Sequence, residues 1–323
     1  MSPHLPPPSA AGIRAAYAAI DPVFLNTPFW SHPAADAALS LPLAVKVEGL
    51  NPTRAFKGRG TDWFLAGLAP SDQLLVSASA GNFGQGLAYA ARARSRRVIL
   101  FAATTANPLK IEAMRRLGAE VRLEGHDFDA AKAAARTFAE QQDGLFIEDG
   151  AHPRIAEGAG TMALEMTRAR LEFDTVLVPL GNGALLTGIG AWLKAERPGV
   201  RVIGIVAAAA PAMRLSWEAG HPITTANAAT IADGIAVRAP VPYALACMPA
   251  TVDAVWEVSE ASLRAAMRFC HEYYGLVVEP AGAAGVAAAL EHKGRLAGHR
   301  LATILCGSNL SETQRRDFLR DPG

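Results

Sequence analysis

Cysteine is scarce in this chain: Cys247, Cys270 and Cys306 are the whole complement among 323 residues, and they lie far apart. An odd number at wide spacing excludes a disulfide framework, and without a Cys-x-x-Cys pair the usual zinc sites go too. Histidine offers no substitute, because His271-Glu272 lacks the second histidine that a zinc-protease helix needs. Charge of either sign is not in excess: 31 Lys and Arg stand against 30 Asp and Glu, a net charge of +1, which leaves no basic stripe of the kind a nucleic-acid binder carries. Long apolar runs are missing as well. Val176 to Leu193 is uncharged, but Pro179, Asn182 and four glycines interrupt it, so it predicts a strand, a loop and a helix start, not a membrane span. The proline-rich Met1 to Gly12 has no basic region followed by an apolar core, so it does not read as a signal peptide, and a cytoplasmic protein is the expectation.

What is present is an alternation. Short apolar runs at Leu74–Val76, Val98–Ala102, Glu120–Leu123, Thr175–Val178, Val202–Val206 and Ala302–Leu305 predict strands. Between them, Leu87–Arg94, Pro108–Leu117, Ala130–Gln142 and Ala184–Ala195 predict helices, with Gly118 as a helix C-cap. Strands separated by helices argue for parallel sheets of the α/β class. The length exceeds what one core usually serves, and two series of alternation suggest two sheets. The division expected is a large domain from residues 1–76 and 152–323, with a small domain of residues 77–151 inserted in it.

Four segments carry chemistry. Lys57 lies in Asn51-Pro-Thr-Arg-Ala-Phe-Lys-Gly-Arg-Gly60. A lysine alone reads as a solvated loop charge, but an amine with lowered proton affinity is a nucleophile for Schiff-base formation, and Arg59 is a candidate for the cationic neighbour. Ser79-Ala-Gly-Asn-Phe-Gly-Gln-Gly86 follows a predicted strand and precedes a helix, so its amides suit a carboxylate or a phosphate, with the Asn82 amide as a further donor. Gly181-Asn-Gly-Ala-Leu-Leu-Thr-Gly188 has the same setting, with Thr187 offering a hydroxyl. A nucleotide phosphate is a rival ligand there, although the spacing is neither GxGxxG nor GxxxxGK[ST]. Cys306-Gly-Ser-Asn309 closes the last apolar run. An amine, two glycine-rich loops and a small polar group are what a pyridoxal phosphate enzyme needs, and a neutral thiol at the pyridine nitrogen favours elimination over transamination.

In this order the segments resemble the fold-type II pyridoxal phosphate enzymes, specifically the threonine/serine dehydratase branch, from Thr27-Pro28 to Asn309. Lys110 with Leu117-Gly-Ala-Glu-Val121, Gly158-Ala-Gly-Thr161, Thr230-Ile-Ala-Asp-Gly-Ile-Ala-Val237 and Glu279-Pro-Ala-Gly-Ala283 complete the likeness. The resemblance implies a two-domain α/β fold like that of tryptophan synthase β, with parallel sheets flanked by helices. It implies that Lys57, with Phe56 beside it, binds the cofactor and moves the substrate α-proton. Asn82 would contact the ring oxygen, and Gly181, Asn182, Gly183, Ala184 and Leu185 the phosphate. Cys306 would face the ring nitrogen, while Ser79, Ala80, Gly81, Asn82 and Phe83 hold substrate. The products would be a 2-oxo acid and ammonia, and the assembly a homodimer.

Departures from the family pattern sharpen these expectations. Ala80 stands where serine racemases of this family carry the base on the opposite face, so racemisation should be poor. Val206 stands where they carry a metal-binding glutamate, so no metal is expected. With fourteen residues after Asn309, feedback control through a C-terminal domain is not expected. Ala55 and Phe83 replace serine and histidine, and Asn182 and Ala184 replace glycines. Phe83 with Ala55 either packs the core or opens the pocket to a larger β-substituent, as in phenylserine dehydratases. Threonine synthase chemistry, β-replacement and a non-catalytic binding protein stand as alternatives.

Overall fold

The computed structural model describes residues 5–319. In chain order they form α1 (Ala10–Ala19), β1 (Phe29–Ser31), α2 (Pro33–Leu39), β2 (Leu43–Val47), α3 (Lys57–Ala66), β3 (Leu75–Ala78), α4 (Asn82–Ala93), β4 (Val98–Ala102), α5 (Pro108–Arg116), β5 (Glu120–Leu123), α6 (Phe128–Gln141), β6 (Leu145–Phe146), α7 (Pro153–Arg168), β7 (Thr175–Pro179) and α8 (Ala184–Glu196). The strands β8 (Arg201–Ala207), β9 (Ala254–Val258) and β10 (Leu301–Leu305) follow, with further helices between and after them. One sheet has the order β1-β2-β10-β7-β8-β9 and the other β5-β4-β3-β6. Every pairing is parallel except β1 with β2. The chain belongs to the α/β class with parallel sheets flanked by helices, as its alternation predicts.

The central strands are buried from end to end, which is why they read as continuous runs of Val, Ile and Leu with no polar alternation. Most predicted boundaries shift by a residue or two. The larger difference is α4, expected to begin at Leu87 and observed from Asn82. Gly84 and Gly86, which mark a turn in the sequence, lie inside the helix, and Gly86 lets α4 approach α3 closely. A Cβ at Gly86 would sit 3.0 Å from the Lys57 carbonyl carbon. Val176 to Leu193 resolves into β7, a loop and the start of α8; no helix among the described residues is long and apolar enough to cross a membrane.

Helices α3, α7 and α8 stack through glycine contacts. A Cβ on Gly158 of α7 would lie 2.5 Å from the Arg59 carbonyl oxygen, and one on Gly188 of α8 would lie 2.0 Å from that of Ala156. Neither neighbour is a side-chain tip that can turn aside. Gly188→Ala is therefore expected to cost about 3 kcal/mol of stability, read as a lower urea midpoint at unchanged slope.

Candidate active site around Lys57

Lys57 is the first residue of α3, and Phe56 ahead of it is buried. The preceding loop is tied down twice. The Asn51 amide donates to the carbonyls of Glu48 and Ala55, and the Phe56 amide donates to the Cys306 carbonyl at 3.1 Å, so the end of β10 holds the approach to the lysine. The Lys57 Nζ lies 2.5 Å from Asp149 Oδ2, 4.7 Å from the centre of the Phe56 ring and 5.9 Å from that of Phe83. The amine is thus mostly enclosed, between two aromatic faces and one carboxylate.

Two helix N-termini bring unpaired donors. At the start of α4, Ser79 Oγ accepts the amides of Gly81 and Gly84, while those of Asn82 and Phe83 find no acceptor among the described residues. A Cβ added at Gly81 would meet nothing within 4 Å, so no protein atom demands this glycine; its value is the open space it leaves. At the start of α8, Thr187 is the first amide to reach a backbone carbonyl, that of Gly183; the amides from Gly181 to Leu186 have no acceptor among the described residues. Gly183 sits at φ +93°, a left-handed turn that glycine adopts freely and that aims this row of amides outward. Both ends present the row of free donors that suits an anion.

Asn82 and Cys306 meet through Glu279. The Asn82 amide donates to Glu279 Oε1 at 2.5 Å, and its Oδ1 accepts from Asn309 at 2.8 Å. Glu279 packs so closely on Gly307 that a Cβ there would lie 1.9 Å from Oε1. Burial and the nearby Asp233 charge push the Glu279 carboxyl up to about 7, against the pull of Lys110 and Asn82. Cys306 is buried, and that burial pushes its thiol up, so it stays a neutral S–H group. A raised carboxyl means the folded protein binds the Glu279 proton more tightly than the unfolded chain. Its stabilising contribution is complete below 4.5 and is lost as pH rises through about 7. Glu279→Gln is expected to flatten the melting temperature across that interval, which thermal scans at stepped pH would read.

Two expectations change. Arg59, in the first turn of α3, is fully buried and is not a free cation beside Lys57. Its guanidinium donates to both oxygens of Glu48 at 2.9 Å, to both oxygens of Glu165 at 2.6 and 3.1 Å, and to Thr161 at 2.9 Å. Thr187, expected to offer a hydroxyl to a phosphate, donates it to the Gly183 carbonyl at 2.8 Å and is buried.

Sequence reasoning missed Asp149. It follows the short strand β6, and an acid beyond the carboxyl end of a parallel strand is the signal that could have found it. The pairing of Lys110 on α5 with Asp233 was missed too, because 123 residues separate them. Asp233 is followed by Gly234, whose carbonyl would lie 2.6 Å from a Cβ at Gly181, so this pair reaches the α8 loop.

Residues 20–307 match a family model described as pyridoxal-phosphate dependent enzyme. The chain is 33% identical over 274 residues to the biosynthetic L-threonine dehydratase IlvA of Salmonella typhimurium, covering 83% of this chain and 53% of that one. It thus spans about half the length of that relative. Among solved structures, the T.th. threonine deaminase superposes with a TM-score of 0.89 at 32% identity, over 94% of this chain and 99% of that one. Maize serine racemase gives 0.90 at 26% identity, over 97% of each chain.

Proposed function

This chain belongs to the pyridoxal-phosphate-dependent enzyme family, and on that premise we propose that it is a dehydratase, or ammonia-lyase, which eliminates the β-hydroxyl of an L-amino acid and leaves a 2-oxo acid and ammonia. The single observation that carries the reading is the enclosed Lys57 amine set among two unpaired helix N-termini and a neutral thiol. These groups fit the cofactor. The row of free amides from Gly181 to Leu185 suits its phosphate, and a thiol that neither donates a full proton nor carries charge suits an unprotonated ring nitrogen. When bound, pyridoxal phosphate supplies a conjugated ring that spreads the negative charge left on the substrate α-carbon.

The chain's own residues divide the rest. Lys57 holds the cofactor through its amine and moves the α-proton, with Phe56 walling the position. The Asn82 amide, held by Glu279 and Asn309, has one N–H left, which would serve the ring oxygen. The free amides of Asn82 and Phe83, over the space left by Gly81, take the substrate carboxylate, with Ser79 holding the turn and Ala80 lining it. A methyl group at Ala80 can neither give nor take a proton, which supports elimination over racemisation on a scaffold that serves both relatives. Residues 77–151, which carry most of the four-stranded sheet, act in this reading as the small substrate-binding domain within a large cofactor-binding one. A two-fold dimer completes the proposal, checked by light scattering.

The test is 2-oxo acid release by the cofactor-loaded protein with L-threonine, L-serine and L-threo-phenylserine. Turnover of any one supports the reading, and phenylserine far above the others would make Ala55 and Phe83 the reason. Phe83 is 5% exposed and belongs to the same buried cluster as Met114 and Leu87, which favours its role in the core. Silence on all three sinks the proposal.

A further inference from the structure

Asp149 has a carboxylate whose partners do not match its capacity. Oδ2 takes the Lys57 amine at 2.5 Å and the Asn182 amide at 3.5 Å, while Oδ1 is buried without a partner. The side chain is 14% exposed, and its backbone cannot swing it out. Gly150, at φ +81°, presses so closely on the loop before α8 that a Cβ there would lie 2.3 Å from the Asn182 carbonyl. On the other side, Glu148 is gripped by Lys132 and Arg136 from α6. The acid is therefore fixed beside the one amine on which the proposed chemistry turns.

That fixity creates a need. An amine that carries the cofactor no longer has three N–H groups to offer, so Asp149 loses most of the donor it has in Lys57. One carboxylate oxygen is then buried without a partner and the other keeps only the Asn182 amide at 3.5 Å, and leaving the group unmatched is costly. In the reading proposed above, the substrate amino group goes to the cofactor and its carboxylate to the start of α4. What remains to meet Asp149 is the group on the β-carbon.

We infer that Asp149 is a specificity-determining residue: it selects substrates whose β-carbon bears an N–H or O–H donor, a protonated amine above a hydroxyl and a hydroxyl above no donor at all. The ranking follows from charge: a hydroxyl gives the carboxylate one hydrogen bond, whereas an ammonium adds the attraction of a full opposite charge to that bond. This inference rests on the proposed function, and the experiment separates the two.

The holoenzyme is titrated with L-alanine, L-serine and L-2,3-diaminopropionate, which differ at the β-carbon by hydrogen, hydroxyl and amine. The readout is the concentration at which each perturbs the visible absorbance of the bound cofactor, with pyruvate release from the last two measured alongside. In the unaltered protein diaminopropionate is expected to respond at about tenfold lower concentration than alanine, with serine between. In Asp149→Asn the ratio of diaminopropionate to alanine is expected to collapse toward one, whereas Asp149→Glu should keep part of it. A ratio that Asp149→Asn leaves unchanged, in a protein that still binds cofactor, overturns the inference and leaves the proposed function standing. If none of the three amino acids perturbs the absorbance, the inference is overturned, and the proposed function is decided by the turnover test above.

Discussion

Replacing Lys57 with alanine is expected to lower 2-oxo acid release by at least about a thousandfold, because one side chain supplies both the covalent hold and the proton transfer. The variant also deprives Asp149 of its partner at 2.5 Å, so lost activity alone could reflect a disturbed pocket. Lys57→Arg separates the causes. A guanidinium restores the ion pair with Asp149 but has no amine to bond the cofactor. Both variants should lose activity and the visible absorbance of covalently bound cofactor, while only the alanine variant should lose stability. Full turnover in either one would dismiss Lys57 from the chemistry.

The largest effect on stability is expected at Arg59. Arg59→Met should cost about 3–5 kcal/mol, the usual penalty for removing one partner from a buried ionic group. The network has two cations and two anions. Lys46, 1% exposed, donates to Glu165 at 2.5 Å, and Arg59 bridges Glu165 to Glu48. Without Arg59, two buried carboxylates share one ammonium. The pH dependence carries the same signature. Burial raises the Glu165 carboxyl, but Arg59 and then Lys46 outweigh it and hold the group below its ordinary 4.5. The unfolded chain then binds this proton more readily than the folded one. The stability Glu165 contributes is complete above 4.5 and is lost as pH falls through its lower folded value. Arg59→Met should therefore flatten the acid side of the stability curve as well as lower the whole. Urea midpoints measured from pH 7 down to 3 would test both; an unchanged midpoint at pH 7 would mean the network contributes nothing net.

The two lysines of this region show how far sequence carries. Lys57 was legible because its companions are local motifs: glycines before helix starts and a small polar turn after the last strand. Such loops are written in consecutive residues, and their chemistry survives in the order of the chain. Lys110 was legible only as a family likeness, because its partner Asp233 lies 123 residues further along the chain. Arg59 was misread for the same reason. From the sequence it is a charge two residues from a nucleophile, and nothing local says that Glu48 and Glu165 will close around it.

The sequence by itself determined the α/β alternation, the parallel sheets and the two glycine-rich loops that lead into helices, since each depends on the period and turn chemistry of neighbouring residues. Only the tertiary structure decided which carboxylate faces that amine, that Ser79 and Thr187 spend hydroxyls on their own loops, and that Glu279 holds Asn82. Those are contacts between residues distant in the chain or choices among hydrogen-bond partners, and both are settled by packing, which no local pattern encodes.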